Sequence, residues 1–232
     1  MQDLRSYKIK NPYRADQEIK QEVSISQNLV YDYSDTPWIS VDTEYLSFNP
    51  LQDKLCVIQI ASKENVEAEN LRVEVIYVFD QEPTDELIKL FTNKKIEKIF
   101  HVFSADVPRI ENYLGTKIKG SIFDTKVAAK IAWTNTQNHG MKSLIRMFAD
   151  PDFHQLDSDN GLNDWEIGPE NWSNDQIYYM MQDVIYLDVL RNRILDMAER
   201  RGVKELVLET MKTIPVLVQL YRNGYTENVL SY

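Results

Sequence analysis

The stretch Trp38-Ile39-Ser40-Val41-Asp42-Thr43-Glu44-Tyr45-Leu46 runs from apolar residues into two acids spaced i, i+2. A strand turns alternate side chains to the same face, so Asp42 and Glu44 point together. Two carboxylates side by side at the end of a buried strand repel one another and are costly to desolvate. A cation between them offsets both effects, so the pair reads as the beginning of a divalent-metal site. A polar strand end open to water accounts for the same two residues equally well.

Two further stretches offer partners. In Ser104-Ala105-Asp106-Val107 the acid opens a helix just after a strand, where a carboxylate suits the helix dipole. It reads either as a third acid of the site or as an N-terminal charge with no chemical role. Farther on, Tyr179 and Asp183 lie i, i+4 on one helix face. They flank an apolar stripe of Ile177, Met180, Val184, Leu187 and Leu190, and the edge of that stripe is their alternative role.

The elements that must position these residues follow from periodicity. Residues 1–24 read as a polar N-terminal arm, and Asn28–Tyr33 as a short strand. Residues 38–46 form a strand, Phe48–Asp53 a turn, and Lys54–Ser62 (KLCVIQIAS) a nearly all-apolar central strand. Val73–Phe79 is a third strand, and short connections make the three an antiparallel meander. The period then changes. Helices are predicted over 83–93, 105–114, 125–133, 141–148 and 174–196, with strands at 98–102 and 122–124 between them. Gly115 closes the second helix, and Gly202 separates the long helix from a last helical region over 203–223. Strands first, then helix–strand–helix units, argue for a mixed α/β sheet layered with helices.

The totals narrow the classes. At 232 residues, 43% hydrophobic and 27% charged, the chain has the length and make-up of one sizeable globular domain. Its apolar runs are too short to span a bilayer, and the N-terminal stretch has no apolar signal core, so no membrane association and a cytoplasmic location are expected. The lone Cys56 rules out an internal disulfide framework and a cysteine zinc cage. Net charge of −10 argues against a broad electrostatic grip on nucleic acid, although local basic patches and bound cations can act against that total.

Taken in order, VDTEY, His101-x4-Asp106, Phe123-Asp124-Thr125 and Tyr179-x3-Asp183 resemble the motifs of the DEDD superfamily of 3′–5′ exonucleases. The similarity is to its tyrosine-bearing branch, and most of all to the ribonuclease D catalytic domain. KLCVIQIAS, DTKVAAKI and Asp164-Trp165 extend the resemblance over roughly residues 25–200. It implies a ribonuclease H-like mixed β-sheet flanked by helices, with the nuclease domain over 25–201; the short apolar helical extension over 202–232 is expected to pack on the same domain. It implies two divalent ions, Mg²⁺ or Mn²⁺, held by Asp42, Glu44, Asp106 and Asp183, with Tyr179 orienting the attacking water. All-oxygen ligands suit such hard ions. Substrate contacts are expected at Thr43, Tyr45, Phe48 and His101, with packing as the other role of Phe48 and His101. Asp124 is expected to support the site rather than ligate, and Gln59 to hold the sheet or touch substrate.

The substrate expected is the 3′ end of single-stranded nucleic acid, RNA ahead of DNA, cut to nucleoside 5′-monophosphates. Exonuclease action on single-stranded DNA and an inert binding module are the alternatives. The chain departs from the family in two loops. Leu46-Ser47-Phe48-Asn49-Pro50 lacks the family's basic residue, and Ile167-Gly168-Pro169 replaces arginine–proline–leucine. Lys126, Lys130, Lys142 and Arg146 are the basic candidates for a substrate strand, and a protein partner supplying basic surface is a further expectation.

Overall fold

The computed structural model describes residues 2–46, 54–63, 71–154 and 164–225. Among the described residues, seven strands form one mixed sheet: β1 (Asp3–Asn11), β2 (Arg14–Ser26), β3 (Trp38–Tyr45), β4 (Leu55–Lys63), β5 (Leu71–Tyr77), β6 (Glu97–Phe100) and β7 (Ile122–Asp124). Their spatial order is β1-β2-β5-β4-β3-β6-β7. The meander β3-β4-β5 is antiparallel, as its short connections require, while β6 and β7 add in parallel beside β3. Every side chain from Leu55 to Ser62 is buried. Successive residues point to opposite faces, so β4 is covered on both sides.

The covering helices are α1 (Asp85–Thr92), α2 (Phe103–Leu114), α3 (Thr125–Ala132), α4 (Met141–Phe148), α5 (Asn174–Ile185), α6 (Leu187–Arg200), α7 (Lys204–Met211) and α8 (Ile214–Arg222). α5 lies on β3, β4 and β5. Its N-terminus carries a full capping box between Ser173 and Gln176. The helix predicted over 174–196 is two helices, turning at Tyr186, whose ring meets Phe153 edge-on. In the C-terminal part, α7 packs on α3 and β7, and α8 packs on α2.

Residues 3–26 are not an arm but a hairpin that joins the sheet. Ser24–Ser26 pair in parallel with Glu74–Ile76. The segment reads as polar because one face of both strands is wet, and its buried residues are few: Ile9, Gln21 and Val23–Ser26 carry most of its inward surface. The hairpin also reaches helices far away in sequence. Tyr13 donates to Asp188 (2.8 Å), Lys10 pairs with Asp150 (2.9 Å) and Arg5 donates to Asn174 (3.0 Å). The strand expected at 28–33 is absent. The amides of Val30 and Tyr31 and the Tyr33 hydroxyl donate instead to the buried carboxylate of Glu74, which holds this link as a loop.

Asp124, at the end of β7, sets where two helices begin. Its Oδ1 accepts from the Val127 amide (2.7 Å) and caps α3, while its Oδ2 accepts from the Phe103 amide (2.5 Å) at the start of α2. Val102 turns into α2 through a left-handed conformation (φ 70°). This clamp orients the first turns of α2, where Asp106 sits. Asp124→Ala removes a cap and strands two buried amides, and is expected to cost about 2–4 kcal/mol in urea denaturation.

Candidate active site

Asp42 and Glu44 lie on one face of β3, as their spacing requires. α5 crosses that face and brings Asp183 to them. Ligand oxygens of Asp42, Glu44 and Asp183 all lie within 4.8 Å of one another. Glu44 is buried, Asp183 is 9% exposed and Asp42 keeps more of its surface open. Tyr179, one turn before Asp183, is hydrogen-bonded to it and partly exposed. The group therefore opens to solvent on the side of Asp42 and Tyr179.

Asp106 comes from the first turn of α2. Thr43 points away from Asp42 and Glu44, and its hydroxyl donates to Asp106 Oδ1 (2.6 Å). Asp106 is thus outside the group of three carboxylates, yet near enough that its charge is felt at Glu44. Its Oδ2 is buried and has no hydrogen-bond partner. A buried carboxylate oxygen without a donor is costly unless something positive meets it.

Burial pushes the carboxyls of Asp42, Glu44 and Asp106 well above the usual carboxylate range, and mutual repulsion adds to it: Asp183 at Asp42, Asp42 first at Glu44, and Asp42 at Asp106. Burial and then Asp183 also raise the Tyr179 phenol, which stays protonated at neutral pH and serves as a donor, not a base. Donors with oxygen only, one of them orphaned, fit hard divalent cations such as Mg²⁺ and Mn²⁺.

The remaining expected site residues divide. The Thr43 hydroxyl donates to Asp106 and holds that acid in place. One His101 ring nitrogen bonds the Thr125 hydroxyl (2.8 Å). Burial, helped by Lys126, lowers its pKa to about 3, so the ring is neutral. Phe48 and the turn around it lie outside the described residues. Tyr45 flanks the acids, with the guanidinium of Arg109 3.4 Å from its ring centroid. Arg109 is 3% exposed and belongs to none of the motifs. Its spacing of three from Asp106 on a helix was the available signal. Gln59 donates to Glu44 (3.2 Å), and Asp124 serves the helix starts described above. Among the basic candidates, Arg146 is tied to the Phe153 carbonyl (2.9 Å).

Two outcomes follow from this electrostatics. A carboxyl whose pKa rises on folding binds more protons folded than unfolded, so stability falls as pH climbs from the carboxylate range through the raised values. For metal-free protein, the contribution of these acids to Tm is expected to decline with rising pH, and Asp42→Asn should flatten that decline and add about 0.5–2 kcal/mol near neutral pH. Thr43→Val, which keeps the shape and deletes the donor, is expected to cost about 1–3 kcal/mol in denaturant titration.

A family model described as 3′–5′ exonuclease matches residues 17–199. Ribonuclease D of Gluconacetobacter diazotrophicus is 28% identical over 169 residues, which cover 72% of this chain and 39% of that protein. The chain thus spans about two fifths of the length of the curated relatives it matches. NrnC of Brucella melitensis is similar in structure, with a TM-score of 0.76 at 28% identity, over 90% of this chain and 96% of that one. NrnC is also known with bound Mg²⁺ and bound to pGG, each with a TM-score of 0.75. RNase D of Escherichia coli shares the fold, with a TM-score of 0.66 at 21% identity over 79% of this chain and 45% of that one.

Proposed function

The chain belongs to the 3′–5′ exonuclease family, and from that membership we propose that it is a metal-dependent exoribonuclease releasing nucleoside 5′-monophosphates from RNA 3′ ends. The observation that carries this reading is the convergence of Asp42, Glu44 and Asp183 within 4.8 Å beside the Tyr179 phenol. The nuclease unit in this reading is residues 25–201 together with the hairpin before it and the helices after it. The single, buried Cys56 supports a cytoplasmic setting. No helix among the described residues is long and apolar enough to cross a membrane.

Asp42, Glu44, Asp106 and Asp183 would hold two divalent ions, Mg²⁺ or Mn²⁺. Such ions supply an activated water and charge stabilisation at the leaving oxygen of an in-line displacement at phosphorus. Asp42 and Glu44 present their carboxylates from a rigid strand, so their separation is set before substrate arrives. Asp183 would join them from α5. Tyr179 keeps its proton and uses the hydroxyl to orient the attacking water toward the scissile phosphate. RNA as substrate is supported by the Ribonuclease D relatives, and short RNA by the likeness to NrnC, which binds pGG.

The test is nucleotide release from 3′-labelled single-stranded RNA and from pGG, in Mg²⁺ or Mn²⁺, beside matched DNA. Mononucleotide product from the RNA 3′ end is expected, with slower release from DNA. Asp183→Asn should lower kcat by about a thousandfold or more. Tyr179→Phe should lower kcat by about 10–100-fold with little change in KM. Absence of release in either ion, with Asp42→Ala indistinguishable from wild type, overturns the reading.

A further inference from the structure

We propose that Gln59 is a positioning residue for Glu44: its side-chain amide fixes one carboxylate oxygen and so aims the other at the metal site. The inference rests on the functional reading above and deepens it.

Gln59 sits in the middle of β4, fully buried between Ile58 and Ile60. It stands directly across from Asp42 in the antiparallel ladder, which makes Glu44 its diagonal neighbour. Its Nε2 donates to Glu44 Oε1 at 3.2 Å. Its own Oε1 is buried and has no hydrogen-bond partner. A buried amide with one half unsatisfied is a poor stabilising choice for the centre of a sheet, where valine or isoleucine would be cheaper to bury. The bond to Glu44 is what the amide does there.

That bond is charge-assisted once Glu44 ionises, and it restricts the side chain's terminal torsion. A carboxylate has lone-pair sites on both oxygens, so one donor leaves capacity for a cation. Gln59 would act as the hydrogen-bonded supports of metal ligands do, whose loss weakens metal binding without touching a ligand. Asp106 shows the same construction with Thr43 as its donor, so each of these acids carries a neutral donor on one oxygen.

The experiment is calorimetric titration of the full chain with Mn²⁺ alone, comparing wild type, Gln59→Met and, as a packing control on the same strand, Ile60→Ala. The metal-free thermal midpoint of each is measured alongside. Expected are Mn²⁺ binding weakened about 10- to 100-fold in Gln59→Met, with its metal-free midpoint equal to or above wild type. Ile60→Ala should lower the midpoint and leave Mn²⁺ affinity within about twofold of wild type. Unchanged Mn²⁺ affinity in a folded Gln59→Met overturns the inference and leaves the functional reading standing. So does a Gln59→Met chain that fails to fold, because Gln59 is then a structural residue. Wild type that binds no Mn²⁺ removes the functional reading and the inference with it.

Discussion

Three carboxylates, Asp42, Glu44 and Asp183, share a space in which their ligand oxygens lie within 4.8 Å of one another, and Asp106 adds its charge from α2. Like charges at that separation, taken out of water, oppose folding. The rest of the molecule must hold them against that force. β4 does much of it, with an unbroken buried run from Leu55 to Ser62 at the sheet's centre. α5 does the remainder by locking its start with the Ser173–Gln176 box and burying Ile177, Met180, Met181 and Val184. The interaction that works against folding is the one that prepares a site for cations.

The two faces of β3 have different duties. One presents Asp42 and Glu44 to α5, and the other presents Thr43 and Tyr45 toward α2. The second face contributes fixing contacts: the Thr43 hydroxyl on Asp106, and the Arg109 guanidinium stacked on Tyr45. Arg109 also favours the ionised form of Asp106, against burial and Asp42. Because α2 starts at the Asp124 clamp, the position of Asp106 is inherited from β7, a strand with no acid of the cluster on it.

The N-terminal hairpin binds the layers from outside. Its contacts to Asn174, Asp150 and Asp188 join β1 and the turn that follows it to α5, to the turn after α4 and to α6. Contacts on exposed side chains contribute little singly. Tyr13 with Asp188 is the best shielded, since the carboxylate is 4% exposed and also receives Asn192.

How much could be read beforehand follows from the range of each cause. The i, i+2 spacing of Asp42 and Glu44 dictates a shared face because strand geometry is local. The buried run of β4, the helix after Thr84 and the end of α2 at Gly115 are local in the same sense. Motif order therefore sufficed for the fold and for three acids that the structure brings together, Asp42, Glu44 and Asp183. The sequence could not show that the Thr43 hydroxyl is bonded to Asp106, or that a His101 ring nitrogen meets Thr125. Nor could it show that a polar N-terminal segment is a hairpin, because its inward residues acquire a core only from β5 and the helices. Those outcomes depend on distances between residues far apart in the chain. Only the packed sheet and its covering helices set such distances, since side-chain hydrogen bonds form where tertiary geometry brings donors within reach.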